Sequence, residues 1–205
     1  MPIDRMNTLT ETEMKILSSF FPEGKEITLK KIMERSAFSY EPVYRTVNQL
    51  VDKKLISVKK FGKTFVYSLD FTKDAVKVAF ILYANKRKET FSEKYGKVAR
   101  ALSKVDEEDI ELLAVFGSYA KGHPRKESDV DILAVSTKKD KVEKSLKSLR
   151  HETNLDFAPV VLPKTEFAKI KEENETFWKD LITYVILFKG YELFYYYAYV
   201  KWKGQ

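Results

Sequence analysis

The 205-residue chain has no cysteine and only two histidines. Without cysteine there is no disulfide framework and no thiolate metal centre. His123 and His151 lack the spacing of a metal-ligand pair, so they are expected at the surface. No apolar run reaches the roughly 18 residues of a membrane span. The longest candidate, Ala75 to Ala84, is short and contains Lys77. The opening Met-Pro-Ile-Asp-Arg lacks a signal-peptide pattern. No repeats or low-complexity segments appear. The expectation is a cytoplasmic globular protein with no membrane segment, made of one large or two small domains.

What is present in excess is positive charge, and it is unevenly placed. The net charge is +7. Residues 28–63 hold nine basic side chains (Lys30, Lys31, Arg35, Arg45, Lys53, Lys54, Lys59, Lys60, Lys63) and three acidic ones (Glu34, Glu41, Asp52). Six surplus charges in one short segment are the footprint of a nucleic-acid binder.

That segment lies in a stretch with strong local signals. Thr10 to Glu13 reads as a capping box. It opens a helix carrying Met14, Leu17 and Phe20 on one face, which Phe21-Pro22-Glu23-Gly24 ends. Thr28 caps a second short helix with Ile32 and Met33. Ser39 is an N-cap candidate for a third helix running to about Lys53. Pro42 lies in its first turn, where a missing N–H is harmless. Val43, Val47, Leu50 and Val51 face inward on that helix, and Tyr44, Arg45, Asn48 and Gln49 face outward. Residues 56–60 and 64–69 read as strands joined by a turn at Phe61-Gly62-Lys63.

Over residues 8–70 this order resembles the winged helix-turn-helix of prokaryotic transcription regulators. Its local signature is the run from Tyr44 to Ile56 followed by the basic glycine turn. The resemblance implies a duplex DNA partner. The third helix would enter the major groove and the wing would touch the backbone or the minor groove. Arg45, Asn48 and Gln49 are residue types that read base edges. Lys59, Lys60 and Lys63 suit phosphates. A small protein-binding domain with a solvated basic face is the alternative.

Residues 71–105 read as a helical linker with a break at Gly96. Val76, Phe80 and Tyr83 form one apolar stripe, which Ala75, Ala79 and Leu82 widen beyond what one partner needs. Either the linker supports a homodimer, or it packs on its own two domains. Asp106 to Asp109 reads as a solvated acidic turn.

Residues 106–205 hold the chemistry. Leu112 to Phe116 is an apolar run that ends at Gly117-Ser118. After a short polar loop, Ser128-Asp129-Val130-Asp131 opens a second run, Ile132 to Val135. Along a strand Asp129 and Asp131 point the same way, their Cα atoms about 6.5 Å apart. Two carboxylates so placed suit a hard cation such as Mg²⁺. A chain turning from a strand through Gly into a helix presents N–H groups that favour phosphate, and glycine permits close approach. Together the two halves describe a nucleoside triphosphate site. Taken separately, a tight turn and a solvated strand end are the plainer alternatives.

Gly-Ser, a gap of about ten residues, then Asp-x-Asp on a strand resembles the DNA polymerase beta-like nucleotidyltransferases. It is most similar to their short prokaryotic branch, the minimal nucleotidyltransferases. The resemblance is specific from Glu111 to Leu162 and vaguer toward the C-terminus. It implies transfer of a nucleoside monophosphate from an NTP to a hydroxyl, with two Mg²⁺ ions held by Asp129 and Asp131. Asp156, early in the strand Leu155 to Val161, matches the family's third carboxylate. There it would complete the metal site and accept the hydroxyl proton. Ser118 and nearby N–H groups would hold the outer phosphates. Lys121 would neutralise charge where the family often has Arg.

The remaining chain reads as flanking structure. Lys139 to His151 is an amphipathic helix carrying Val142, Leu146 and Leu149. Strand, helix, strand demands a crossover and a parallel or mixed sheet. Thr165 to Tyr184 reads as one helix. Leu187 to Phe194 resembles the family's closing segment. Tyr195, Tyr196, Tyr197, Tyr199 and Trp202 form an aromatic tail for packing or base stacking.

The expected fold is therefore a two-domain α+β/α/β chain. It runs from a winged helix (1–70) through a helical linker (71–105) to a nucleotidyltransferase-fold mixed sheet flanked by helices (106–205). Three functions fit it. One is a transferase tied to transcription regulation, whose acceptor can be a partner protein. Another is a regulator that only senses nucleotide. The third is a nucleic-acid end-modifying enzyme.

Overall fold

A computed structural model describes residues 9–105 and 108–200. The chain divides into two compact units, residues 1–83 and 84–205. The boundary falls inside a helix, within the stretch 71–105 whose sequence reads as a helical linker.

In the first unit, α1 (Glu11–Ser18) opens on the expected capping box. The Thr10 hydroxyl accepts the Glu13 N–H at 3.2 Å, and the Glu13 carboxylate accepts the Thr10 N–H at 2.9 Å. A two-residue strand, β1 (Ile27–Thr28), precedes α2 (Leu29–Ser36), which Thr28 caps. The third helix, α3 (Tyr40–Asp52), follows Ser39 and leads into β2 (Ile56–Phe61) and β3 (Thr64–Leu69). The antiparallel sheet has the order β1-β3-β2. β1 is too short to leave a periodic signal in the sequence. Ile16, Leu17, Phe20, Ile32, Val43, Val47 and Leu50 are fully buried and form the core. Val51 is only partly buried, and Thr46 takes the inward place beside Val47.

The 21-residue helix α4 (Asp74–Lys94) contributes to both units. In the first, Val76 and Ala79 are fully buried, Phe80 packs edge-on to Phe21, and the Ser18 hydroxyl donates to the Ala79 carbonyl. In the second, Phe91 packs edge-on to Phe188, and Arg87 donates to the carbonyls of Thr183 and Tyr184.

The second unit continues with α5 (Gly96–Leu102), β4 (Leu112–Val115), α6 (Gly117–Lys121), β5 (Val130–Val135), α7 (Lys139–Ser148), α8 (Arg150–Thr153) and β6 (Phe157–Leu162). Then come α9 (Lys164–Phe167), α10 (Ile170–Glu173), α11 (Glu175–Tyr184), β7 (Ile186–Lys189), α12 (Tyr191–Tyr195) and a π-helical segment, Tyr196–Val200. The sheet order is β6-β5-β4-β7. β5 and β6 run parallel, joined by the α7 crossover, and the other pairs are antiparallel. Every residue of β4 is buried, as is all of β5 except Asp131. Cover on both faces explains why these strands read as continuous apolar runs.

Two expectations need correction here, and a third is settled in part. Residues 165–184 are not one helix but three segments. Asn174 breaks the run because its side chain accepts the Phe177 N–H and caps a new helix. The acidic turn is not simply solvated: its Asp109 pairs with Lys138 and Lys141, while residues 106–107 lie outside the described part. In the aromatic tail Tyr195 and Tyr199 are buried and Tyr196 is exposed, while Trp202 lies outside the described residues.

Glu13 links the capping box to α3. Its buried carboxylate also receives the Lys53 ammonium at 2.6 Å. Burial alone would push this carboxyl up, but the bonds from Lys53 and Thr10 outweigh it and hold it below its usual value. A depressed carboxyl stabilises the fold above its unfolded pKa, and that stability is lost as pH falls through the folded value. Glu13→Ala should cost about 1–2 kcal/mol at neutral pH. Urea melts at pH 7 and pH 3 check this: the gap between wild type and variant should narrow in acid.

Candidate functional site

β4 delivers the chain through extended Phe116 to Gly117, whose φ of +66° turns it into α6. The Phe116 N–H donates to the Asp131 carbonyl at 3.0 Å, which holds the turn against β5. The Asp131 carboxylate then lies over the turn and accepts the Ser118 backbone N–H. A Cβ on Gly117 would fall 1.9 Å from Asp131 Oδ2 and 2.8 Å from its Cγ. Glycine is therefore required at 117 twice, by its backbone angle and by the carboxylate in the space a side chain would take. The sequence suggests the first reason, while the second depends on the pairing of β4 with β5.

Asp129 precedes β5 and is exposed, and Asp131, two residues on, is half-buried. Burial pushes the Asp131 carboxyl up, and the charge of Asp129 pushes it further, against the Ser118 bond. Neither carboxylate has a cationic partner among the described residues. Two adjacent, repelling, unpaired carboxylates fit a hard divalent cation, which would relieve the repulsion that raises Asp131.

Asp156 does not join them. It lies one residue before β6, its side chain 56% exposed, and pairs with Arg150 at 2.9 Å. This corrects the expectation that Asp156 lies within the strand. The parallel pairing starts at Val130 and Phe157, which leaves Asp156 beyond the strand end, within reach of Arg150 on α8. The Val130 N–H donates to the Asp156 carbonyl, so the backbone of Asp156 is beside the Asp129–Asp131 segment while its carboxylate is engaged elsewhere. No group of three or more acidic or imidazole side chains that could hold a metal occurs among the described residues.

Lys121 is also engaged. Its ammonium lies 2.9 Å from Asp180 and 5.4 Å from the centre of the Tyr184 ring, both on α11. Ser118 spends its own N–H on Asp131 rather than leaving it free. Further groups support the turn that sequence reasoning does not find. Lys94 donates to the Gly122 carbonyl at 2.6 Å, where α6 ends. Buried Tyr119 packs edge-on to Tyr95, and its hydroxyl is pushed up by burial and then by Tyr95 and Asp129. Tyr95, Lys94 and Asp180 are distant in sequence from the motif and carry no local signal.

In the first unit Tyr44, Arg45, Asn48 and Gln49 are all exposed along α3, while Val43, Thr46, Val47 and Leu50 are buried. Lys59, Lys60 and Lys63 are exposed on the β2–β3 hairpin, which turns at Gly62 with φ +58°. The arrangement offers polar side chains on a helix and cations on a wing, the two kinds of contact that base edges and phosphates require.

Comparison with known families gives two matches. The family model described as Penicillinase repressor matches residues 9–115, more than half of the chain. The one described as Polymerase beta, Nucleotidyltransferase matches residues 97–190. No curated protein and no solved structure matches.

The raised Asp131 carboxyl has a signed consequence. A raised carboxyl favours the fold only while protonated, and that stability is lost as pH rises through the folded value. In metal-free buffer Asp131→Asn should therefore melt no lower than wild type at pH 7, with any gain vanishing in acid. Mg²⁺ should raise the melting temperature of wild type and not of the variant. Gly117→Ala should lose the Mg²⁺ response by displacing the carboxylate. Thermal scans with and without Mg²⁺ check all three.

Proposed function

Because the chain belongs to the penicillinase repressor family and carries a polymerase beta-type nucleotidyltransferase domain, we propose that it is a DNA-binding, Mg²⁺-dependent nucleotidyltransferase linked to transcription regulation. The observation that carries this is the Asp129–Asp131 pair set against the Gly117 turn, with like charge unrelieved by any cationic side chain among the described residues.

The proposed reaction joins an acceptor hydroxyl to the α-phosphorus of an NTP and breaks the bond to pyrophosphate. Asp129 and Asp131 would hold Mg²⁺, which supplies Lewis-acid stabilisation for the attacking and leaving oxygens. The Ser118 N–H fixes the Asp131 carboxylate, and Gly117 leaves room for that contact. Lys121 would meet the outer phosphates by exchanging Asp180 for them. Asp156 would serve as third ligand and proton acceptor once released from Arg150. The acceptor carries a hydroxyl and can be a partner protein. The nucleic acid held by the first unit, modified at an end, is the other macromolecular candidate.

The Arg150–Asp156 pair favours a second function, a regulator whose nucleotidyltransferase fold binds nucleotide without turnover. Incubation with labelled NTPs and Mg²⁺, with and without DNA, RNA and co-purifying proteins, separates the possibilities. Transfer of label that Asp131→Asn abolishes is the expected result. Binding of NTP without transfer to any acceptor would favour the sensor.

For DNA, Arg45, Asn48 and Gln49 would read bases, with Tyr44 beside them, and Lys59, Lys60 and Lys63 would hold phosphates. Duplex affinity should fall steeply with salt as counterions are released. Lys60→Ala and Lys63→Ala should each reduce the salt slope by about one, while Arg45→Ala should cost about 1–3 kcal/mol at a specific site. Salt titrations on operator and random duplexes check this, and indifference to duplex at low salt would sink it.

A further inference from the structure

The β2–β3 hairpin ends in a two-residue turn, Gly62-Lys63, closed by the pair Phe61 and Thr64. The tip is open: a Cβ built on Gly62 would meet no atom within 4 Å. At its root the hairpin joins the core through Ile56, Tyr67 and Leu69, all buried. At its tip it carries apolar surface that the fold leaves in water. Phe61 is 58% exposed, the highest value for any large apolar side chain among the described residues. Its ring meets no other ring and no cation there. Pairing with Thr64 does not require a ring, since any side chain that suits extended backbone would serve. Phe65 differs. It pairs with Lys60 on the opposite face of the hairpin, and the Lys60 ammonium lies 5.6 Å from its ring centre.

Charge around Phe61 is of one sign. Lys59, two positions back, shares its face of the strand, and Lys63 stands in the turn; both are exposed. No acidic residue occurs from Lys53 to Leu69, and neither lysine is ion-paired among the described residues. Phosphates would complement both. The minor groove of a duplex, about 6 Å wide, is walled by phosphates and admits a turn of chain rather than a helix. An apolar side chain delivered there between cations can wedge into a base step, partly unstacking it and kinking the duplex. A wing that only touched phosphates would need its lysines and would gain nothing from an exposed phenyl ring.

We propose that Phe61 is an intercalating wedge. The wing tip enters the minor groove, Lys59 and Lys63 hold the flanking phosphates, and the ring unstacks one base step and bends the duplex. This rests on the duplex-binding reading of the first unit and adds distortion of the DNA to it; catalysis in the second unit plays no part. Pyrimidine–purine steps such as TA would be preferred, because they unstack most easily.

The test uses the full chain and two duplexes with repeated TA steps. One carries 2-aminopurine in place of adenine at those steps, so its fluorescence rises on unstacking. The other carries a donor and an acceptor dye at its ends, so energy transfer rises on bending. Wild type should raise both signals as it binds. Phe61→Ala should lose both rises while keeping the salt slope of binding, because no phosphate contact is removed. Phe61→Leu, still an apolar wedge, should retain them. Phe65→Ala removes an equal ring from the other face and should change neither. Phe61 is exposed, so its variants should keep the wild-type circular dichroism and melting. Duplex binding by wild type with neither rise would overturn the wedge and leave the duplex reading standing. No binding even at low salt would remove both. Rises that survive Phe61→Ala, or that vanish with Phe65→Ala instead, would overturn the assignment to Phe61. Phosphatidylserine vesicles form the last arm: vesicle binding that needs Phe61, without distortion of either duplex, would overturn the wedge in favour of a membrane contact.

Discussion

The carboxylate of Asp131 occupies the space that a Cβ at position 117 would need, and much of the second unit follows from that contact. It requires glycine at 117 and β4 antiparallel to β5 in the observed register. It spends the Ser118 N–H on Asp131, so the turn and the strand are held as one piece. The cost is electrostatic, since a half-buried carboxylate beside Asp129 is repelled and desolvated together. Groups held in such a state without a neutralising partner are candidates for function rather than for stability. The sheet carries the strain: four buried residues in β4 and five in β5 set the two backbones rigidly enough to keep the carboxylates together.

Around this contact the structure is more occupied than a bare nucleotide site. Lys121 is held by Asp180, Asp156 by Arg150, and the end of α6 by Lys94. The first two are solvent-accessible ion pairs, which are weak, typically worth about 0–1 kcal/mol. The two family matches overlap on residues 97–115, covering β4 and all of α5 but its first residue. The repressor-type segment therefore runs into the first strand of the nucleotidyltransferase sheet. Helix α4 fits the same pattern, since no loop separates the parts it contributes to the two units.

Much of the fold was legible because it rests on short-range rules. The Thr10–Glu13 box, the Thr28 cap, the period of α3 and the turn at Gly62 each involve residues within a few positions of one another. Missed features are those in which a short-range signal was absent or was overridden. β1 has two residues, too few for alternation. Asn174 breaks an apolar period that otherwise continues, because its side chain competes for a backbone N–H. In the site, Gly117, Ser118, Asp129 and Asp131 were found together because they flank two apolar strands. Asp156 was found by matching a family pattern, and its partner was not.

Sequence alone determined which residues carry charge, which lie on a common face of a helix or strand, and that a Gly-Ser turn precedes an Asp-x-Asp strand. Those properties are set by backbone geometry over a few residues. Only the tertiary structure decided that Asp131 fills the space at Gly117, that Lys53 reaches buried Glu13, and that Arg150 holds Asp156 and Asp180 holds Lys121. Each joins groups brought together by strand register and helix packing, where a shift of one residue reverses which face a side chain occupies. Local pattern contains no record of that register.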